Sequence, residues 1–254
     1  MKITLLGTGT STGVPELGCA CEVCTSHDAR DARMRCSAMV TTDKGMNILI
    51  DCGPDFRTQL LRNPFDKIDA VLLTHHHYDH VAGLDDLRPF CRRGDIPVYA
   101  NSDTLTQVKN FFPYCFAEKK YPGVPNLELR TVDKEHSFMV CDEPIIPVEV
   151  FHGRLPILGY RIGALAYITD MSTISCEELQ KLCGVEVLVI NALRFSKPHR
   201  THQTVLEALR IVNYIKPRAT YFTHLMHHIG LHAKIEKCLP KGVMLGYDGL
   251  QINI

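Results

Sequence analysis

Short apolar runs recur along the chain, each closed by a turn-forming or polar residue. Runs this short, bounded by turn signals, read as strands. They lie at 2–6, 37–42, 46–52, 69–75, 96–100, 145–151, 157–162, 164–170, 185–191, 218–224 and 243–254, which predicts about eleven strands. Gly45 stands where the second and third would turn into a hairpin. Four stretches carry helical signals. Residues 54–62 open on Pro54 and place apolar side chains at Phe56, Leu60 and Leu61. Ser102 is an N-cap candidate for 103–111, and Ser175-Cys176-Glu177-Glu178 opens 175–182. Residues 204–215 space Val205, Leu206, Leu209, Val212 and Ile215 as one helix face. One small sheet would curl or split under that many strands, so the pattern predicts two sheets covered by helices.

Composition narrows this picture without changing it. A chain of 254 residues can bury a sizeable core without disulfides, and no linker or repeat divides it, so 1–254 is expected to be one domain. No apolar run approaches the ~18 residues of a membrane span. The opening MKITLLG breaks at Gly7, too early for a signal-peptide core, and a cytoplasmic location is expected. Lys and Arg number 28 and Asp and Glu 28, which argues against a large phosphate-tracking surface but leaves room for one small anion. Eleven cysteines without an export signal point to metal ligation or buried thiols.

The strongest chemical signal is Thr74-His75-His76-His77-Tyr78-Asp79-His80, directly after the apolar Val71-Leu72-Leu73. His-x-His-x-Asp-His at the end of a buried strand can wrap a cation, and imidazole with carboxylate suits Zn²⁺, Mn²⁺ or Fe²⁺. Four ligands in so short a segment exceed what one open tetrahedral ion takes, which points to two adjacent metals. Three later strands end in further ligand types, at His152, Asp170 and His224. Strand ends gather at one sheet edge, so these residues are expected to meet.

A second cluster is Cys19-Ala20-Cys21-Glu22-Val23-Cys24. Three thiolates at this spacing can take three corners of a tetrahedral Zn²⁺. The fourth ligand is not local, and Cys36 is one candidate. A closed site of this kind is structural, not catalytic.

These motifs together resemble the metallo-β-lactamase-fold hydrolases. The resemblance rests on Leu6 to Pro15, Ile50-Asp51-Cys52-Gly53, Thr74 to His80, His152, Thr169-Asp170 and Thr223-His224, matched in order over essentially the whole chain. It implies an α/β (α+β) fold, a four-layer αββα sandwich, here with a small N-terminal zinc-binding loop. It implies that His75, His77 and His152 hold one metal, that Asp79, His80 and His224 hold the other, and that Asp170 bridges them. His77 stands where flavodiiron-type proteins carry Glu, which favours hydrolysis. Gly18-Cys19-x-Cys21-x-x-Cys24 and Gly83 to Arg88 resemble the phosphoribosyl 1,2-cyclic phosphate phosphodiesterase subfamily. That resemblance offers His227 as the fourth zinc ligand in place of Cys36, and implies two Zn or Mn ions in the active site plus one structural Zn.

Asp79 counts among the catalytic groups as well as the ligands. In the run Lys197 to Thr204, His199 and His202 are both candidates to protonate a leaving oxygen. His202-x-Thr204 resembles the His-x-Thr motif of tRNA 3′-end endonucleases, and His199 is the alternative match to the phosphodiesterase. Arg88, Arg92, Arg154, Arg194 and Arg200 are candidates for holding a second phosphate. His76, His228 and, if not a zinc ligand, His227 are read as groups that orient ligands; His27, His136 and His232 are read as surface residues. The expected function is hydrolysis of a small anionic phosphodiester, with no membrane partner and with nucleic acid disfavoured; a homodimer is allowed. RNA 3′-processing and thioester or lactone hydrolysis remain alternatives on the same core. A metal-binding protein without turnover would leave His199 and His202 superfluous.

Overall fold

The computed structural model describes residues 1–140 and 142–254. The strands in chain order are β1 (Lys2–Gly7), β2 (Ser37–Thr41), β3 (Asn47–Ile50), β4 (Ala70–Leu72), β5 (Ile96–Ala100), β6 (Leu127–Thr131), β7 (Phe138–Val140) and β8 (Glu143–His152). Then come β9 (Leu155–Ile162), β10 (Leu165–Ile168), β11 (Thr173–Ile174), β12 (Val187–Asn191), β13 (Ala219–Thr223), β14 (Val243–Leu245) and β15 (Gln251–Asn253). The first sheet runs β15-β1-β2-β3-β4-β5-β6; the second runs β11-β8-β9-β10-β12-β13-β14, with β7 added on β8.

Why the strands lack alternation is visible in what each face meets. Ile3, Leu5, Ile48, Ile50, Ala70 and Leu72 point between the sheets against Tyr160, Ile162, Leu165, Tyr167, Val187 and Val189. Leu6, Leu49 and Val71 point the other way, into a core shared with Phe56 and Leu105 of the helices α1 (Phe56–Arg62) and α3 (Ser102–Phe111). On the far side the second sheet packs against Val205, Ala208, Ile211, Val212 and Ile215 of α5 (Val205–Ile215). Between them in sequence come the short α2 (Tyr78–Val81) and α4 (Cys176–Gln180). Two helical layers thus cover two sheets, the expected αββα sandwich.

Several details differ from expectation. The segment 243–254 is two strands in two different sheets: β14 joins β13, whereas β15 crosses to β1. Gly249, with φ +87, helps turn the chain between them. β6, β7 and β11 are missing from the sequence reading: β6 and β11 carry polar residues, and β7 is only three residues long. The N-cap of α3 is Asn101, whose side chain accepts from the Thr104 amide, so Ser102 lies inside the helix. Ser175 does cap α4, and Thr204 caps α5 in a capping box with Glu207.

Candidate metal centre

β3, β4, β5 and β6 run parallel, as do β10, β12, β13 and β14. Parallel strands end at one edge, and β8 shares the direction of β10 because β9 is antiparallel to both. His75, His152, Asp170 and His224 therefore emerge together. Asp51, Asp170 and His224 each follow a strand with φ between 55 and 59°, left-handed conformations unusual for such residues. Strain of this kind persists where surrounding contacts over-determine it, and it clusters at functional sites.

Asp170 is the hub. Its Oδ2 accepts from Thr169 Oγ1 at 2.7 Å and lies 3.2 Å from His80 Nε2. Its Oδ1 lies 3.1 Å from His224 Nε2 and 3.0 Å from His202 Nε2. Asp79 Oδ2 is also 3.2 Å from His80 Nε2. Three groups have ligand atoms within 4.8 Å of one another: His75, His80 and Asp170; Asp79, His80 and His224; His152, Asp170 and His202. His77 joins through His75, with Nδ1 3.0 Å from His75 Nε2, and its ring centroid is 5.1 Å from that of His152.

The ring orientations suit metal binding. Two carbonyls, of Asp170 and Thr201, each lie 2.9 Å from His152 Nδ1. That nitrogen must carry the proton and donate, which leaves Nε2 free as a ligand. Asp51 Oδ2 lies 2.7 Å from His80 Nδ1 and turns its Nε2 inward. There, His80 Nε2 is buried with no hydrogen-bond partner among the described residues. An orphaned imidazole nitrogen facing two carboxylates is the position a cation fits. Electrostatics agree. Burial opposes a charge on His80, but Asp79, Asp51 and Asp170 outweigh it and hold its pKa well above the ordinary value. Burial would raise Asp170, yet His224 and His80 keep it well below the usual carboxylate range. Burial pushes His75 well down and lowers His224 to about 4. His75 and His224 are thus neutral beside an ionised Asp170, as metal ligation needs, whereas His80 without metal holds a proton that a bound cation would displace.

Asp51 carries more than its place in the sequence match suggested. Fully buried, it accepts from the Thr74 amide and hydroxyl as well as facing His80. An Asp directly after an apolar strand, one strand before the His motif, was the available signal. Of the two protonation candidates, His202 lies inward, whereas His199 is exposed and touches His202 at 3.2 Å between Nδ1 atoms. His76 turns to Asp103, 3.4 Å away.

At the second site His227 Nδ1 lies 3.3 Å from Cys19 Sγ, 3.3 Å from Cys21 Sγ and 3.5 Å from Cys24 Sγ. Its Nε2 faces Glu16 at 3.1 Å. Cys36 is not part of this group; it is buried between the sheets, 3.0 Å from Thr223 Oγ1 and 3.1 Å from the Tyr167 hydroxyl. Three sulfurs around one imidazole nitrogen form a donor set that fits zinc. The Cys24 amide and His227 lower Cys21 to about 6, whereas burial pushes Cys24 up to about 11. At pH 7 in zinc-free protein, iodoacetamide is therefore expected to label Cys21 at least ~10-fold faster than Cys24. The Cys21 rate should fall as pH drops through 6, and zinc should suppress it. Equal labelling of the two, mapped by mass spectrometry, would contradict this.

His232, read above as a surface residue, is 2% exposed, and its Nδ1 lies 3.2 Å from Arg33 Nη2. His27 and His136 are exposed as expected.

The model of the beta-lactamase superfamily domain matches residues 46–225, well over half of the chain and all of the His–Asp cluster. The chain belongs to the beta-lactamase superfamily. Among solved structures, a diphosphatase of the PhnP family is 41% identical with a TM-score of 0.92, covering 100% of this chain and 97% of that one. Zn²⁺-bound PqqB from Methylobacterium extorquens shares the fold at 20% identity and TM-score 0.82, with full coverage of both. An octanoyltransferase of Porphyromonas gingivalis is 47% identical over 254 residues. That match takes in 100% of this superfamily member and 52% of the relative, so the chain spans about half of that protein's length. Among the described residues no helix is long and apolar enough to cross a membrane.

Proposed function

We propose that the chain is a metal-dependent phosphodiesterase acting on a small phosphodiester, phosphoribosyl 1,2-cyclic phosphate or a relative of it. The observation that carries this reading is Asp170, one carboxylate facing His80 with one oxygen and His224 and His202 with the other. The 41% identical diphosphatase supports phosphate chemistry for the cluster. His75, His77 and His152 would hold one divalent ion, zinc or manganese, and Asp79, His80 and His224 the other, with Asp170 between. Bound there, the pair supplies an activated water and neutralises charge on the phosphoryl oxygens. The remaining work falls to the chain itself. Asp51 and the carbonyls on His152 fix which imidazole nitrogens are free. His202, with Nε2 at the edge of the cluster, is the group to give the departing oxygen its proton. His199 and the Thr201 hydroxyl, at 3.2 and 3.0 Å from His202 Nδ1, orient that ring.

A second reading, hydrolysis of an acyl thioester, draws on the octanoyltransferase relative and on an apolar cavity of about 340 Å³. Tyr78, Val81, Ala82, Phe111 and Phe112 line that cavity beside the His motif. The two readings separate in one assay. Metal-loaded protein should hydrolyse phosphoribosyl 1,2-cyclic phosphate at least ~100-fold better, in kcat/KM, than octanoyl thioester or pre-tRNA. His202→Ala should cost about 100-fold on this alkoxide leaving group and little on bis(p-nitrophenyl) phosphate, whose nitrophenolate leaves unprotonated. Preference for the thioester or for pre-tRNA would overturn the substrate. Equal losses on both leaving groups would remove the acid role.

A further inference from the structure

The loop after β1 carries one hydroxyl into the His–Asp cluster. Thr10 is 6% exposed, and its Oγ1 lies 3.2 Å from His224 Nε2, its one side-chain partner among the described residues. Asp170 Oδ1 lies 3.1 Å from the same nitrogen. The hydroxyl and the carboxylate therefore flank one atom, and that atom is the nitrogen His224 turns toward Asp170 and would offer to a divalent ion.

Little freedom is left to Thr10. Its amide donates to the Leu225 carbonyl at 3.1 Å, and the Leu225 amide donates to the Thr8 carbonyl at 2.8 Å, so the loop is laced to the residue that follows His224. Its own carbonyl accepts from the Gly13 amide at 2.8 Å. Gly9 permits this seating, because a Cβ there would stand 2.9 Å from the Arg33 carbonyl oxygen and 3.0 Å from that of Met34. Further along the same loop Cys19, Cys21 and Cys24 surround His227, three residues after His224. The loop is thus fixed to the segment after β13 on both sides of Thr10.

Ligation changes what the hydroxyl can bond. A ring nitrogen that holds a cation has neither a proton to give nor a lone pair to receive one. Thr10 then keeps a buried hydroxyl without its partner, which is costly unless another group accepts its proton. The Asp170 carboxylate is already engaged by Thr169, His80 and His202. An anionic oxygen brought into the cluster by a substrate fits the vacated bond.

We propose that Thr10 is a further catalytic residue, whose hydroxyl donates a hydrogen bond to a non-bridging oxygen of the phosphoryl group held at the cluster. The proposal rests on the phosphodiesterase reading and adds a group to it. A donor fixed in advance strengthens its bond as charge gathers on that oxygen, with no rearrangement of the chain at the moment of reaction.

The test compares Thr10→Val, which keeps the shape and removes the donor, with Thr10→Ser, which keeps the donor. If the Val variant proves unstable, Thr10→Ala takes its place. On metal-loaded protein Thr10→Val should lower kcat on a cyclic phosphodiester by about 100-fold and change KM by less than about threefold. Thr10→Ser should recover most of that loss. A Val variant within about threefold of wild type, or a Ser variant as slow as the Val variant, would overturn the proposal. Two further readouts separate a donor to substrate from a hydroxyl that only positions His224. Zinc content and zinc affinity of Thr10→Val should match wild type within about threefold; a loss of tenfold or more would make Thr10 a positioning residue and overturn the proposal. Orthovanadate, which takes up the five-coordinate geometry of a transferring phosphoryl group, should bind metal-loaded Thr10→Val at least about tenfold more weakly than wild type. If wild type hydrolyses no phosphodiester, the function reading fails and orthovanadate binding alone decides; equal affinity in the two proteins, or none in either, would then overturn the role of Thr10.

Discussion

Asp170→Ala is expected to lower kcat/KM on a phosphodiester by at least ~10⁴-fold, the largest loss of any single substitution in the protein. The expectation follows from its contacts. Both oxygens face imidazoles of the cluster, and Thr169 fixes the carboxylate with a 2.7 Å hydrogen bond. Without it the two proposed ligand sets have no shared group, and His80 loses one of the carboxylates that balance its charge. Asp170→Asn keeps the shape and should lose nearly as much, because the missing element is charge. Metal content should fall in both variants. Bound ions stabilise a folded state by mass action, so melting points are compared between metal-free proteins, where the variants should stay within a few degrees of wild type. Retention of a tenth of the activity by either variant would remove Asp170 from its bridging position.

Cys21→Ser should act on stability. The three sulfurs and His227 tie the loop after β1 to the segment after β13, across more than 200 residues of chain, with Cys21 Sγ 3.3 Å from His227 Nδ1. Structural zinc contributes folding free energy directly, and loss of one ligand should forfeit about 3–5 kcal/mol of it. For a chain of this size, about 2–4 °C per kcal/mol translates into a melting point lower by roughly 6–20 °C. Elemental analysis should show about one zinc fewer per chain. His227 is three residues from His224, so a moderate loss of turnover is expected as well. An unchanged melting point with unchanged zinc would show that the cysteine cluster holds no structural ion.

The sandwich was legible in local pattern because both faces of most central strands are covered. Ile48 and Ile50 look inward and Leu49 outward, so the run is apolar throughout and announces itself without alternation. Where cover is one-sided the signal weakens, which is why Leu127–Thr131 escaped notice. The cluster was legible for a related reason: ligand-type residues directly follow apolar runs, and strands of common direction bring such positions to one edge.

What local sequence determined, then, was the set of central strands, the order of metal-type residues along them and the three-thiol spacing. Each depends on neighbours within a few positions. Tertiary structure alone decided the partners of distant residues. Residues 243–254 pattern as one strand, yet β14 and β15 belong to different sheets, because β1 leaves an edge open beside it that only the terminal residues reach. Cys36 was a candidate zinc ligand from the residues alone and His227 was preferred only through the resemblance; packing places Cys36 between the sheets, and the turn after β13 brings His227 to the thiols. His199 and His202 were separated by burial, and Arg33 is buried only because the chain's two ends, at Thr8 and Gly246, pack around it. The reason is common to all four. Side-chain periodicity is set by backbone geometry within a turn or a strand, whereas burial and pairing are set by which surfaces the closed sandwich brings within contact distance.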